Sequence, residues 1–118
     1  MNFIVILFAH WIADFVLQDE EMAQGKSKSL IPLSKHIWRY VWSMSFMLIP
    51  IFMNYPVKYI LLFIAINGIS HFIIDYFTSR MSARLWKQKR VHDFFVCIGF
   101  DQFLHIAILY ASWVHLLN

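Results

Sequence analysis

Four apolar stretches, at roughly residues 2–18, 36–54, 57–79 and 93–117, divide most of the chain between them. Each is of the length that an α-helix needs to cross a bilayer, about 20 residues with a range of about 17–25. No other feature limits the fold as strongly. A chain of 118 residues that is 60% hydrophobic and 14% charged is far poorer in charge than an ordinary soluble domain, at about 25%. A globule this small has too much surface for its volume to hide such an apolar excess. Lipid is therefore the expected solvent for much of it, and helices satisfy the backbone of each segment from within. The sequence predicts one all-α domain over residues 1–118, a polytopic membrane protein of four transmembrane helices. The first segment lacks a basic leader and holds His10 and Asp14, so it reads as a span and not as a cleaved signal peptide.

Charge sets the expected orientation. Lys26, Lys28, Lys35 and Arg39 stand at the first connection, and Arg80, Arg84, Lys87, Lys89 and Arg90 at the third. The remaining basic residue, Lys58, lies in the short NYPVK turn on the other side. Positive residues favour the cytoplasmic face, which predicts a multi-pass protein of the cell's inner membrane with both termini extracytoplasmic. Cys97 is the only cysteine, so a disulfide framework and a thiolate zinc cluster are both excluded. The basic residues flank membrane spans and form no nucleic-acid-binding module.

Against this apolar background, residues 9–18 read AHWIADFVLQ and residues 70–79 read SHFIIDYFTS. Both place a histidine four residues before an aspartate: His10 and Asp14, then His71 and Asp75. The fourth segment reverses the order, with Asp101 before His105. That reversal is what a helix running the opposite way needs to present comparable groups. Spacing of four puts each pair on one helix face, with Gln18 a turn beyond Asp14 and with Asn67 and Thr78 flanking the second pair. The second segment adds His36, Tyr40 and Ser43. Three aspartates facing lipid would cost about 8–10 kcal/mol at about 2.5–3.5 each. They are expected to point inward, and intramembrane ionisable residues mark functional sites. The matching pairs on the first and third segments also imply a parallel repeat of two helical hairpins.

Imidazole and carboxylate are the groups with which helix bundles hold metal ions. They suit zinc, manganese or iron better than copper(I), with zinc or manganese the expected ion. His10, His71, Asp75 and His105 are the favoured ligands, and Asp14 or Asp101 the further ligand or the general base. Lys26, Lys28 and His36 would recognise an anionic headgroup. The plainer reading is that each histidine bonds its own aspartate and merely joins helices. Asn67, Gly68 and Ser70 form a small-residue patch suited to close helix packing. His92 and His115 are expected at the ends of the fourth helix, and Trp38, Trp86 and Trp113 at the membrane interfaces.

At HWIADFVLQ, KSKSL with His36 following, HFIIDYFTSR and GFDQFLH, the chain resembles a family of small bacterial and phage membrane proteins throughout its length. That family is known as domain of unknown function thirty-three-oh-seven. The resemblance implies His10, Asp14, Gln18, Lys26, His36, His71, Asp75, Asp101, Gln102 and His105 as the family's polar motif positions and brings no established activity; Gln18 and Gln102 are expected with Lys26, Lys28 and His36 on the substrate side. In style the site is also similar, by analogy only, to membrane-bound predicted metal-dependent hydrolases.

Three functions remain open on these residues. The leading one is a membrane-embedded metal-dependent hydrolase, acting from the cytoplasmic side on a lipid phosphoester or acyl bond. The second is a metal-ion or proton relay. The third is a non-enzymatic, phage-encoded modulator of a membrane partner. Membrane lipid is the expected partner; a homo-oligomer stays open and nucleic acid is not expected.

Overall fold

The computed structural model describes residues 2–18 and 24–117. The chain ends, residues 1 and 118, and the acidic stretch 19–23 of the first connection lie outside the described residues. All regular structure among the described residues is helical. Helix α1 (Asn2–Trp11) runs directly into a π-helical turn, Ile12–Val16. Then come α2 (Leu30–Met47), the short α3 (Ile49–Phe52), α4 (Val57–Lys87) and α5 (Val91–Ser112), and a second π-helical turn, Trp113–Leu117, continues α5.

Local chemistry moves several boundaries from where hydropathy alone puts them. The α2 helix begins well before residue 36, because the Ser29 side chain caps it by accepting from the Ile31 backbone N–H at 3.1 Å. It breaks at Leu48, since Pro50 offers no N–H and crowds the preceding turn. The second apolar stretch is therefore a broken pair, α2 and α3. The third extends past residue 79: α4 has 31 residues, about 46 Å at 1.5 Å per residue. Arg84 and Lys87 lie in its last turn, where cations complement the helix dipole. The chain then turns through Lys89 at φ 59°, and the Arg90 N–H closes back on the Leu85 carbonyl at 3.0 Å, a helix-ending loop that usually carries glycine.

Among the described residues, two helices are long and apolar enough to cross a membrane, Val57–Lys87 and Val91–Leu117, and Phe3–Val16 is a shorter apolar helix. The first two form a hairpin with the most extensive helix contact in the molecule, and α2 packs on the other side of α4. At Gly68 a Cβ would lie 2.9 Å from Val41 Cγ2, so the absence of a side chain lets α2 and α4 approach. Within the small-residue patch it is Gly68 that serves close packing. An apolar core of Ile6, Leu48, Phe63, Leu109 and Leu117 fills the end away from the basic connections. Outside, Ile4, Phe46, Met53 and Ile69 are 62–81% exposed, far more apolar surface than scattered single residues would give.

Candidate metal centre

Towards the basic connections the interior changes character. His10 from α1, Asp14 from the first π turn, His36 from α2, His71 and Asp75 from α4, and Asp101 and His105 from α5 are all at most 8% exposed. The π turn matters here, because such turns rewind a helix locally and often sit at functional sites. It presents Asp14 to α2 and α4 as well as to its own helix: Asp14 Oδ1 lies 3.1 Å from His36 Nε2 and 3.2 Å from His71 Nε2.

These contacts belong to a set of four donors. His36 Nε2 and His71 Nε2 are 3.2 Å apart, and Asp75 Oδ2 is 3.1 Å from the first and 3.3 Å from the second. Protons alone satisfy such a set poorly. Two Nε2–H groups can each donate to a carboxylate, but the two nitrogens then face each other without a bond between them. A single cation meets all four lone pairs at once. Four ligands about 2.0–2.1 Å from a tetrahedral zinc lie about 3.3 Å from one another, close to the separations found here. Asp14, His36, His71 and Asp75 therefore fit a divalent ion.

A second set lies beside the first and shares Asp75 with it. His105 Nε2 is 3.1 Å from Asp75 Oδ1 and 3.3 Å from Asp101 Oδ2. The imidazoles of His71 and His105 stack with centroids 4.0 Å apart and 18° between planes.

A frame of hydrogen bonds holds both sets. The Gln102 amide donates to Asp14 Oδ2 at 3.1 Å and to Asp101 Oδ2 at 3.0 Å, tying α5 to the π turn. Its oxygen accepts from His10 Nε2 at 3.2 Å, which leaves His10 Nδ1 to accept from the Tyr40 hydroxyl at 2.8 Å. The Thr78 hydroxyl donates to Asp101 Oδ1. Lys26 Nζ donates to Asp75 Oδ2 at 3.4 Å, while its carbonyl accepts from Ser79 at 3.5 Å, so the first connection is laid across α4. His71 Nδ1 is buried and has no partner among the described residues.

The chamber borders a cavity of about 700 Å³ whose wall includes Asp14, Gln18, Lys26, Lys28, Asp101 and Gln102. Gln18 Oε1 is buried there and has no partner among the described residues. An apolar groove of about 410 Å³ lies between α4 and α5, lined by Phe77, Met81 and Phe100 among others, and Thr78 reaches it from the chamber side.

The candidate residues thus converge, with three changes of place. His36, expected beside a headgroup, stands among the innermost donors. His10, expected as a ligand, lies outside both sets with each ring nitrogen already engaged, and approaches its own Asp14 only to 3.8 Å. Gln102 spans two aspartates as well as facing the cavity. Asp14 and Asp101 each join one set, and neither keeps an unengaged oxygen. Ser43 stands apart from the chamber, in the wall of a separate outer groove, and Ser112 bonds Asn67 at 2.9 Å, outside both donor sets. The serines that matter on α4 are instead Ser79 and Ser82, both buried. They continue the face of His71 and Asp75 at spacings of four and three, a pattern the sequence displayed. Ser82 also lines the cavity beside Ser79.

The family described as Protein of unknown function (DUF3307) matches residues 2–118, and the chain belongs to it. No curated protein and no solved structure matches the chain.

Proposed function

For this member of the family we propose a metal-dependent hydrolase embedded in the inner membrane, cleaving a phosphoester or acyl bond of a lipid from the cytoplasmic side. The observation that carries the reading is the four-donor set of Asp14, His36, His71 and Asp75, at near-tetrahedral separations beside a cavity open to polar residues. A divalent ion at this centre, held by that set or by the adjoining Asp75, Asp101 and His105, would supply Lewis-acid activation of water and of the scissile group. The protein's own residues do the rest. Gln102 and Thr78 orient the aspartates, Lys26 and Lys28 offer contacts for an anionic headgroup, and the Gln18 oxygen, without a partner among the described residues, can accept from a headgroup hydroxyl or ammonium. The apolar groove between α4 and α5 gives an acyl chain a place on the other side of Thr78.

All four apolar segments cross the bilayer in this reading, with the basic connections in the cytoplasm. The exposed apolar belt supports it, as does the burial of polar groups from every segment at one level. The kink at Pro50 is no obstacle, since a span tolerates such breaks. Transport is the weaker alternative, because the buried apolar layer of Leu48, Phe63 and Leu109 stands between the chamber and the far side.

The test uses the full chain, purified and reconstituted in vesicles of anionic and zwitterionic phospholipids. Bound metal and release of phosphorylated headgroup or fatty acid are measured before and after chelation. We expect stoichiometric zinc or manganese and a turnover that chelation removes and the metal restores. Metal-loaded protein that cleaves none of these lipids would overturn the hydrolase, and metal-free protein would overturn the centre itself.

A further inference from the structure

We propose that the centre is dinuclear, with Asp75 bridging two divalent ions through its two oxygens. The inference rests on the metal-centre reading above and goes beyond it in number, arrangement and substrate class. The two oxygens of Asp75 face different donors. Oδ2 looks towards His36 and His71 at 3.1 and 3.3 Å, and Oδ1 towards His105 at 3.1 Å. A carboxylate serving one ion and one hydrogen bond would not need a complete second donor set on its other oxygen. Here Asp75, Asp101 and His105 form one.

The stacked imidazoles set the spacing. His71 belongs to the first set and His105 to the second, and their rings are near parallel with centroids 4.0 Å apart. Ions bound through the two Nε2 atoms would inherit a separation of that order, and paired catalytic ions stand about 3.5–4 Å apart.

The two positions differ in kind. The first has four protein donors, the number typical of closed structural sites. The second has three, which leaves room for an exogenous ligand, as catalytic sites do. The open one reaches the large cavity through Asp101, as the first does through Asp14, so a ligand in the cavity can meet the free position. Charge points to what it takes. The three aspartates carry three negative charges, and two divalent ions bring four positive ones. The surplus, joined by Lys26, favours an anionic ligand, and paired ions commonly clamp both oxygens of a phosphoryl displacement. A phosphoester is therefore the substrate class that fits, in preference to a neutral acyl ester.

The experiment is a manganese titration of the purified full chain in detergent, with bound metal counted and the electron paramagnetic resonance spectrum recorded at saturation. We expect two ions per chain and the spectrum of an exchange-coupled pair. His105→Gln should bind one ion and show an isolated manganese signal. One ion per chain at saturation in the unaltered protein overturns the bridge while leaving a mononuclear centre standing. No bound metal overturns both. Two uncoupled ions overturn the bridge as well, and this outcome is read on the unaltered chain, so it does not depend on how the variant folds.

Discussion

At the end of the bundle nearest the basic connections, seven ionisable side chains are buried together; at the other, Ile6, Leu48, Phe63, Leu109 and Leu117 fill the same interior with hydrocarbon. The same helices build both ends. The apolar end is held by contacts that are individually weak, non-directional and numerous. The polar end is held by contacts that each need a named atom at a named distance, as when Gln102 spans Asp14 and Asp101. Substitution at the first should therefore change stability without changing chemistry, and substitution at the second should do the reverse. Tyr40 marks the border: its ring belongs to the apolar core, and its hydroxyl meets His10.

The sharpest way to break this contrast is Asp75→Asn. It keeps the size of the side chain and an oxygen to accept hydrogen bonds, but removes the anionic oxygens that face both donor sets. An amide is also cheaper to bury than a carboxylate. We expect a folded, inserted protein whose metal content and hydrolysis fall to background. Full activity with unchanged metal would reduce the polar end to a structural joint like any other.

Leu109→Ala tests the opposite end. Leu109 is completely buried, and such a truncation costs about 2–5 kcal/mol. Unfolding in detergent should shift accordingly, while metal bound per folded chain stays constant. Metal loss at an unchanged unfolding midpoint would show that the two ends are not separable.

Lys26→Met should act on substrate more than on structure. Its ammonium is part-exposed at the cavity wall, and a contact to a charged group is worth about 1.5 kcal/mol or more. About a tenfold rise in KM for an anionic lipid is expected, with kcat much less changed. A fall in kcat alone would move Lys26 from recognition to the support of Asp75, which it also touches at 3.4 Å.

The smallest effect is expected at the border. Tyr40→Phe keeps the ring that packs on His71, with centroids 4.0 Å apart, and removes only the hydroxyl opposite His10. A loss of about 1 kcal/mol in stability, with both metal positions intact, would confirm His10 as a support for Gln102. Loss of an ion in this variant would instead return His10 to the ligands.

The helical character of the chain and the face of each helix that turns inward were legible in the sequence, because both depend on periodicity and solvent preference. Asp14, His71, Asp75, Asp101 and His105 could be named from the cost of leaving such groups on an apolar helix surface. Boundaries were less legible. The Ser29 cap, the break before Pro50 and the continuation of α4 through Arg84 depend on hydrogen bonds and end effects, to which a hydropathy pattern is blind.

Partnership was the part that only the tertiary structure decided. A spacing of four puts His10 beside Asp14, His71 beside Asp75 and Asp101 beside His105 on their own helices, and suggests three local pairs. In the folded chain His36 meets both Asp14 and Asp75, His105 approaches Asp75 more closely than its own Asp101, and His10 turns to Tyr40 and Gln102. Periodicity determines which way a side chain points from its helix axis. Which atoms it then meets is set by the rotation, depth and spacing of neighbouring helices, here by a π turn at Asp14 and a close approach at Gly68. The sequence by itself determined that these charges face inward from otherwise apolar helices; the packing of the helices decided that they meet and that Asp75 stands at the centre, with one oxygen turned to each set.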